Sequence, residues 1–350
     1  MSIFYKLPVK EVKRETKDTV SVVFDIPEMA EDEFSFVPGQ YITIQKELEG
    51  ETLRRAYSIC SSPRSNELRV AIKEVEKGTF SVYANNHLKA GDILEVAAPT
   101  GKFILDASES NQKKYIAFVA GSGITPVISM IKAVLDTEEN SKFVLVYGNK
   151  SADQTIFKNE LDRMVKAFEN QLDVHYVYSQ KISDQAYFGR IDLTVVNDII
   201  KHKYKSVAFD EYFLCGPNEM IDLVKGILIN NGVDESIIHI EYFSSISVKK
   251  EVNKELSGNS KITILLDEEE TTIEMRKDEL ILDVALAHHL DAPYSCQGGI
   301  CSSCLAKVVE GEAVMDKNTI LDAEEIEEGL ILTCQAHPTT ATIKIDYDDV

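Results

Sequence analysis

Apolar positions change their spacing twice along this chain. In residues 19–26, 41–45 and 68–75 they alternate with polar ones, the two-residue period of half-buried strands. Turn signals separate these runs at Pro38-Gly39, Pro63 and Gly91-Asp92. Short strands divided by turns predict an antiparallel β-sandwich or β-barrel over residues 1–106. From about residue 113, short apolar runs at 115–120, 143–148, 172–178, 211–216 and 237–243 alternate with segments of helical period, as at 157–168 and 218–231. That rhythm predicts an α/β domain with a parallel sheet over residues 107–245. The polar tract 246–260 reads as a linker. Strand patterns at 262–266 and 271–275, then a helical one at 280–290, begin a third domain over residues 261–350.

At 350 residues the chain has room for two or three domains. The net charge is −21 and uneven. Residues 258–350 hold 20 Asp and Glu against 6 Lys and Arg, a balance of −14, which leaves −7 for the first 257. Such a surface repels nucleic acid and anionic membranes. It also suits transient docking of a basic protein, although acidity serves solubility equally well. The first 15 residues carry charges where a secretory leader would be apolar. No apolar run nears the roughly 18 residues of a membrane span. The expected location is the cytoplasm.

Six cysteines serve the whole chain, and four of them form one pattern. Cys296, Cys301, Cys304 and Cys334 are spaced C-x4-C-x2-C-x29-C, the plant-type spacing for a [2Fe–2S] cluster. Gly298 and Gly299 let backbone approach the sulfurs, and Ser302 and Ser303 add donors. A structural zinc site would more often show two C-x2-C pairs or histidine partners. A disulfide framework would need an oxidising compartment. Cys60 stands apart and reads as a small buried apolar residue.

A one-electron cluster fed by a two-electron nicotinamide needs a flavin between them. The nicotinamide candidate follows the run 115–120. Gly121 and Gly123 make a tight turn, Thr125 suits an N-cap and Pro126 a first helical turn. The helix start would then face a pyrophosphate. The pattern is G-x-G-x-x-P, departing from the dinucleotide fingerprint at its last position. In the flavin candidate, Arg55 suits a phosphate, Tyr57 a ring face and Ser58 a ring edge.

Taken together, these residues resemble ferredoxin–NADP+ reductase-type modules. Arg55, Tyr57 and Ser58 are similar to the family's R-x-Y-S flavin motif. Residues 78–81, with Gly78 and Ser81 at the ends, resemble its second flavin motif, which binds pyrophosphate through backbone amides. Residues 121–126 resemble its nucleotide loop. Residues 215–220 resemble its C-G-P-x-x-M signature, which implies that Cys215 lies near the nicotinamide and that Gly216 and Pro217 shape its pocket. Glu241 and Phe243 occupy positions like family residues near the flavin ring. The order of flavin module, nucleotide module and C-terminal plant-type ferredoxin is similar to the phenylacetyl-CoA oxygenase reductases, which implies a β-grasp third domain.

The resemblance implies FAD, a [2Fe–2S] cluster and NADPH, with NADH as the alternative. NADPH-preferring members usually place Ser and Arg after the third strand of the nucleotide module. Here Ser179 fits, but Gln180 follows it. Lys181 supplies a point charge without a bidentate fork, and Arg190 is a second candidate. No Asp or Glu stands there to bind ribose hydroxyls. The expected activity is electron transfer from NADPH through FAD and the cluster to an oxygenase component of the phenylacetyl-CoA type. Tyr57, Ser58, Cys215 and Phe243 are expected beside the reacting rings. Another oxygenase, a desaturase or a cytochrome stays open as acceptor, and a redox-sensing binding protein is the non-enzymatic alternative.

Overall fold

The computed structural model describes residues 3–48, 50–183, 185–243 and 256–350. The chain forms two compact units, one drawn from residues 5–243 and one centred on the C-terminal residues.

The first unit carries two sheets. Strands β1 (Phe4–Thr16), β2 (Thr19–Phe24), β3 (Tyr41–Leu48), β4 (Glu51–Ser58), β5 (Leu68–Lys73) and β6 (Ile93–Ala97) form an antiparallel sheet of order β4-β3-β6-β1-β2-β5. Its inward positions, among them Leu7, Val22, Ile42, Ile44, Val70 and Val96, make one buried core. Among the described residues the two end strands meet at one antiparallel bridge, between Ile59, just past the end of β4, and Val70 in β5. Helix α1 (Thr79–Asn86) caps this core through Phe80 and Ala84.

The second sheet is parallel. Strands β7 (Lys114–Ala120), β8 (Lys142–Asn149), β9 (Leu172–Tyr178), β10 (Ala186–Phe188), β11 (Glu211–Gly216) and β12 (Ile238–Tyr242) run in the order β10-β9-β8-β7-β11-β12. Helices α2 (Ile124–Thr137), α3 (Lys158–Ala167), α4 (Leu193–Asn197) and α5 (Asn218–Asn230) supply the crossovers. Cores lie on both faces, which is why these strands read as continuous apolar runs. The order reverses between β7 and β11, and open α/β sheets bind ligands at the carboxyl ends of strands at such a switch point. The two sheets share contacts through α2: Ser129 Oγ donates to the Ser61 carbonyl at 2.7 Å, and Lys132 Nζ to that of Cys60 at 2.8 Å. Cys60 is fully buried, and burial pushes its thiol up to about 12.

In the C-terminal unit, β13 (Asn259–Leu266) and β14 (Glu269–Arg276) open a five-stranded sheet. Helix α6 (Ile281–Ala287), strands β15 (Leu305–Glu310) and β16 (Ala313–Met315), helix α7 (Ala323–Glu327), and strands β17 (Leu330–Leu332), β18 (Ala336–Pro338) and β19 (Thr342–Asp346) follow. The sheet order is β14-β13-β19-β15-β17, with β13 and β19 parallel and the other pairs antiparallel. This is the mixed sheet of a β-grasp. Strand β13 begins inside the tract read as a linker, of which residues 246–255 lie outside those described. No helix among the described residues is long and apolar enough to cross a membrane.

Candidate functional site

At the switch point, β7 ends in a tight turn over Gly121–Gly123 that runs directly into α2. Gly121 has φ +57, and its carbonyl accepts a hydrogen bond from the Tyr147 hydroxyl at 2.9 Å. Gly123 packs on the next strand's end: a Cβ there would collide with the Cys215 carbonyl and stand 3.0 Å from the Gly216 nitrogen. Only glycine allows the β7 and β11 termini to close so tightly. Thr125 is not the N-cap. The cap is Gly123, and Thr125 lies inside α2 with Oγ1 donating to the Ser122 carbonyl at 3.0 Å. The turn is itself helical, so the helix starts one residue before Thr125 and Pro126 falls at its third position. No side chain caps α2, whose first N–H, that of Ile124, meets the Ser122 carbonyl, while Pro126 has none. Helix α5, which starts after Pro217, also has no side-chain cap.

Cys215 is fully buried and pairs in register with Glu241 across β11 and β12. Its Sγ lies 4.0 Å from Glu241 Oε2. Burial first, and then the Glu241 charge, push the thiol well above its ordinary pKa, so Cys215 is a neutral group suited to packing rather than attack. Phe243 lies just past β12 and is 38% exposed, a large ring open to solvent beside this site.

Ser179 and Lys181 follow β9. Ser179 Oγ donates to the Asn149 carbonyl at 3.4 Å. Lys181 Nζ pairs with Asp153 at 2.9 Å, both side chains being mostly exposed. Hydrogen bonds from Lys181 and then from Ser151 hold the Asp153 carboxyl down at about 2. Arg190 is exposed, between β10 and α4. Nothing in the spacing of the chain marked Asp153 as the group that Lys181 would leave to meet a phosphate.

On β4, Arg55 and Tyr57 share a face and Ser58 points the other way, buried at 5% exposure. Arg55 donates through Nη1 to the Arg54 carbonyl at 2.7 Å. The half-buried Tyr57 ring lies 5.7 Å from that of Phe80 in α1. That contact brings β4 to the segment that begins at Gly78, the N-cap of α1. Ser81 is turned inward, its Oγ accepting from the Val75 N–H at 3.1 Å. The start of α1 therefore presents backbone amides with no side-chain cap, a surface that fits the phosphates of FAD. Lys73, at the end of β5, escaped the sequence reading. Its Nζ lies 4.0 Å from where a Cβ on Gly121 would stand. A basic residue closing an apolar strand was its only signal.

The cysteine loop runs from Cys296 to Cys304, after α6. Cys301, Cys304 and Cys334 are buried, and Cys296 is partly so. The Cys296 sulfur faces those of Cys301 and Cys334, and the Cys334 sulfur faces that of Cys304. The Thr333 N–H and hydroxyl both donate to the Cys304 carbonyl, at 3.1 and 3.0 Å, tying the loop to the turn between β17 and β18 that carries Cys334. Tyr347 in turn donates to Thr333 Oγ1 at 2.9 Å. Gln297 (φ +51) and Gly299 (φ +69) are left-handed, which turns the Gly298 N–H onto Cys296 Sγ at 3.3 Å. A Cβ on Gly299 would stand 2.9 Å from both Gln335 Cγ and the Lys317 carbonyl. Ser303 Oγ lies 3.5 Å from Cys301 Sγ. Beside the loop, Ser295 Oγ and Lys317 Nζ are buried without hydrogen-bond partners.

Four converging sulfurs, an amide aimed at one of them and unmet donors around them fit a negatively charged sulfur cluster.

Family models match the chain in three places: an oxidoreductase FAD-binding domain over residues 6–104, an oxidoreductase NAD-binding domain over 118–226, and a 2Fe-2S iron-sulfur cluster binding domain over 264–339. The chain is 36% identical to a subunit of the 1,2-phenylacetyl-CoA epoxidase of Escherichia coli, over 99% of both chains. It is 34% identical to the ferredoxin reductase component of 3-ketosteroid-9-alpha-monooxygenase of Rhodococcus rhodochrous, over 97% of this chain and 96% of that one. The structure of phthalate dioxygenase reductase superposes with a TM-score of 0.60 over 98% of each chain, at 21% identity, which is a likeness of fold.

Proposed function

The chain belongs to the oxygenase reductases that join FAD-binding, NAD-binding and 2Fe-2S domains, and from that premise we propose that it feeds an oxygenase component acting on phenylacetyl-CoA. The observation that carries the choice of acceptor is the 36% identity, end to end, with a subunit of the 1,2-phenylacetyl-CoA epoxidase. The working boundaries are 1–106 for the FAD domain, 107–245 for the nucleotide domain, 246–260 for the linker and 261–350 for the ferredoxin domain. The proposed setting is the cytoplasm.

FAD, when bound, turns the electron pair of a hydride into single electrons, and the cluster carries them one at a time. The protein's part is placement. The start of α2 and the Gly121–Gly123 turn hold the nucleotide pyrophosphate. Ser179, Lys181 and Arg190 favour the 2′-phosphate of NADPH over NADH. Arg55 and the start of α1 from Gly78 to Ser81 hold the flavin phosphates, while Tyr57 and Ser58 flank its ring. Cys215, with Gly216 and Pro217 after it, fills the nicotinamide side as a neutral thiol, and Glu241 and Phe243 complete that wall. No residue here needs to take a proton for a hydride to pass, so these are orienting roles. Cys296, Cys301, Cys304 and Cys334 are the cluster ligands.

The test is coupling. The full chain, loaded with FAD and iron–sulfur, is mixed with the oxygenase component of phenylacetyl-CoA epoxidase, and NADPH loss is followed. Phenylacetyl-CoA should stimulate it in parallel with product formation. Coupling only to a different oxygenase component would reassign the acceptor. An anaerobic titration in which NADPH bleaches the flavin and leaves the cluster oxidised would sink the proposed electron path.

A further inference from the structure

Residues 316–319 are tied to the cysteine loop at two points and to the residue after Cys334 at a third. The Asp316 N–H donates to the Gln335 carbonyl at 2.8 Å, next to Cys334. The Lys317 carbonyl packs against Gly299, and Thr319 Oγ1 donates to the Gly299 carbonyl at 2.8 Å. Asp316 is held in turn by the buried His337, whose Nε2 lies 3.1 Å from its carboxylate and whose Nδ1 faces the Glu279 carbonyl at 2.9 Å. The Lys317 side chain leaves this tied segment, and its ammonium nitrogen is buried with no hydrogen-bond partner among the described residues. Ser295, immediately before Cys296, is 2% exposed, and its hydroxyl is also unpartnered.

A buried ammonium without an anion is costly, and a chain that keeps one there has a charge to set against it. Four thiolates and two bridging sulfides leave a plant-type cluster negative, and reduction adds one more negative charge. Net charge, hydrogen bonds to sulfur and exposure set the potential of such a cluster. We propose that Lys317 is the internal counter-charge of the cluster, a fixed cation that favours the reduced state and raises its reduction potential. The inference rests on the cluster reading given above. Lys317 needs no contact with substrate or nucleotide to act this way.

The experiment is an anaerobic redox titration of the full, loaded chain, read by cluster absorbance and electron paramagnetic resonance and normalised to bound iron. Lys317→Met and Lys317→Gln should each shift the cluster equilibrium about tenfold toward the oxidised form, about 59 mV for one electron. Lys317→Arg should stay at the wild-type value. If Lys317→Met fails to load its cluster, Lys317→Gln decides alone, since it keeps a donor and removes the charge. Wild-type midpoints in the uncharged variants, or in Lys317→Gln alone, would overturn the counter-charge. A wild-type chain that loads no two-iron cluster would overturn the cluster reading with it. A loaded cluster indifferent to Lys317 would overturn this inference only.

Discussion

The turn after β7 and the loop after α6 are both built to hold negative groups, and they are made of opposite materials. At the switch point the surface is backbone: two glycines, a helix start without a side-chain cap, and the carbonyl of Cys215 against which Gly123 packs. At the cysteine loop it is side chain: four sulfurs that meet because Thr333 ties Cys304 to the turn bearing Cys334. A site made of amides tolerates a change of residue wherever a Cβ fits and fails sharply where it does not. A site made of ligands depends on chemical identity at four positions and much less on its neighbours. Each should therefore be breakable without the other.

The largest effect is expected from Cys304→Ser. It should abolish the two-iron spectrum and all transfer to the oxygenase component, while NADPH-driven reduction of a small artificial acceptor by the flavin persists. Loss of both activities would mean that the two sites are not separable. Gly123→Ala comes next. Its methyl would push the β7 turn off Cys215, and displacement of a bound reactant by about 1 Å costs on the order of a hundredfold in rate. The expected loss is in kcat/KM for NADPH with the cluster spectrum unchanged, and a wild-type value would show that the close packing is not needed. The smallest effect is expected from Lys181→Ala, which removes an exposed side chain from a site made mostly of backbone. NADPH KM should rise by about twofold to fivefold, with NADH unaffected and the difference shrinking at high salt. Equal changes for both nucleotides would remove Lys181 from the 2′-phosphate site.

Much of this was legible in residue order. The runs at 115–120, 143–148, 172–178 and 211–216 became β7, β8, β9 and β11 within a residue or two, because strands buried on both faces must be apolar throughout. The long first strand, β1, gave a weaker signal, since its exposed positions outnumber the buried ones. Helix α1 was not marked as a helix for a related reason: it is only eight residues long and mixes Thr, Ser and Asn with its apolar positions. Thr125 was assigned to the cap on residue type alone. Whether a Thr caps a helix depends on where the preceding turn ends, and that turn is held by Tyr147 from the neighbouring strand.

The sequence by itself determined the order of the three domains and the identity of the four cysteines, because spacing within one loop is a local property and thiolate chemistry cannot be replaced by a neighbour. Tertiary structure alone decided what meets across elements. It set Gly123 on Cys215, joined the ends of the first sheet at the Ile59–Val70 bridge, bound Lys181 to Asp153, and brought Lys317 beside the sulfur loop without a partner among the described residues. The separation between those residues along the chain carries no signal. Packing and desolvation, which act through space, gave them their surroundings.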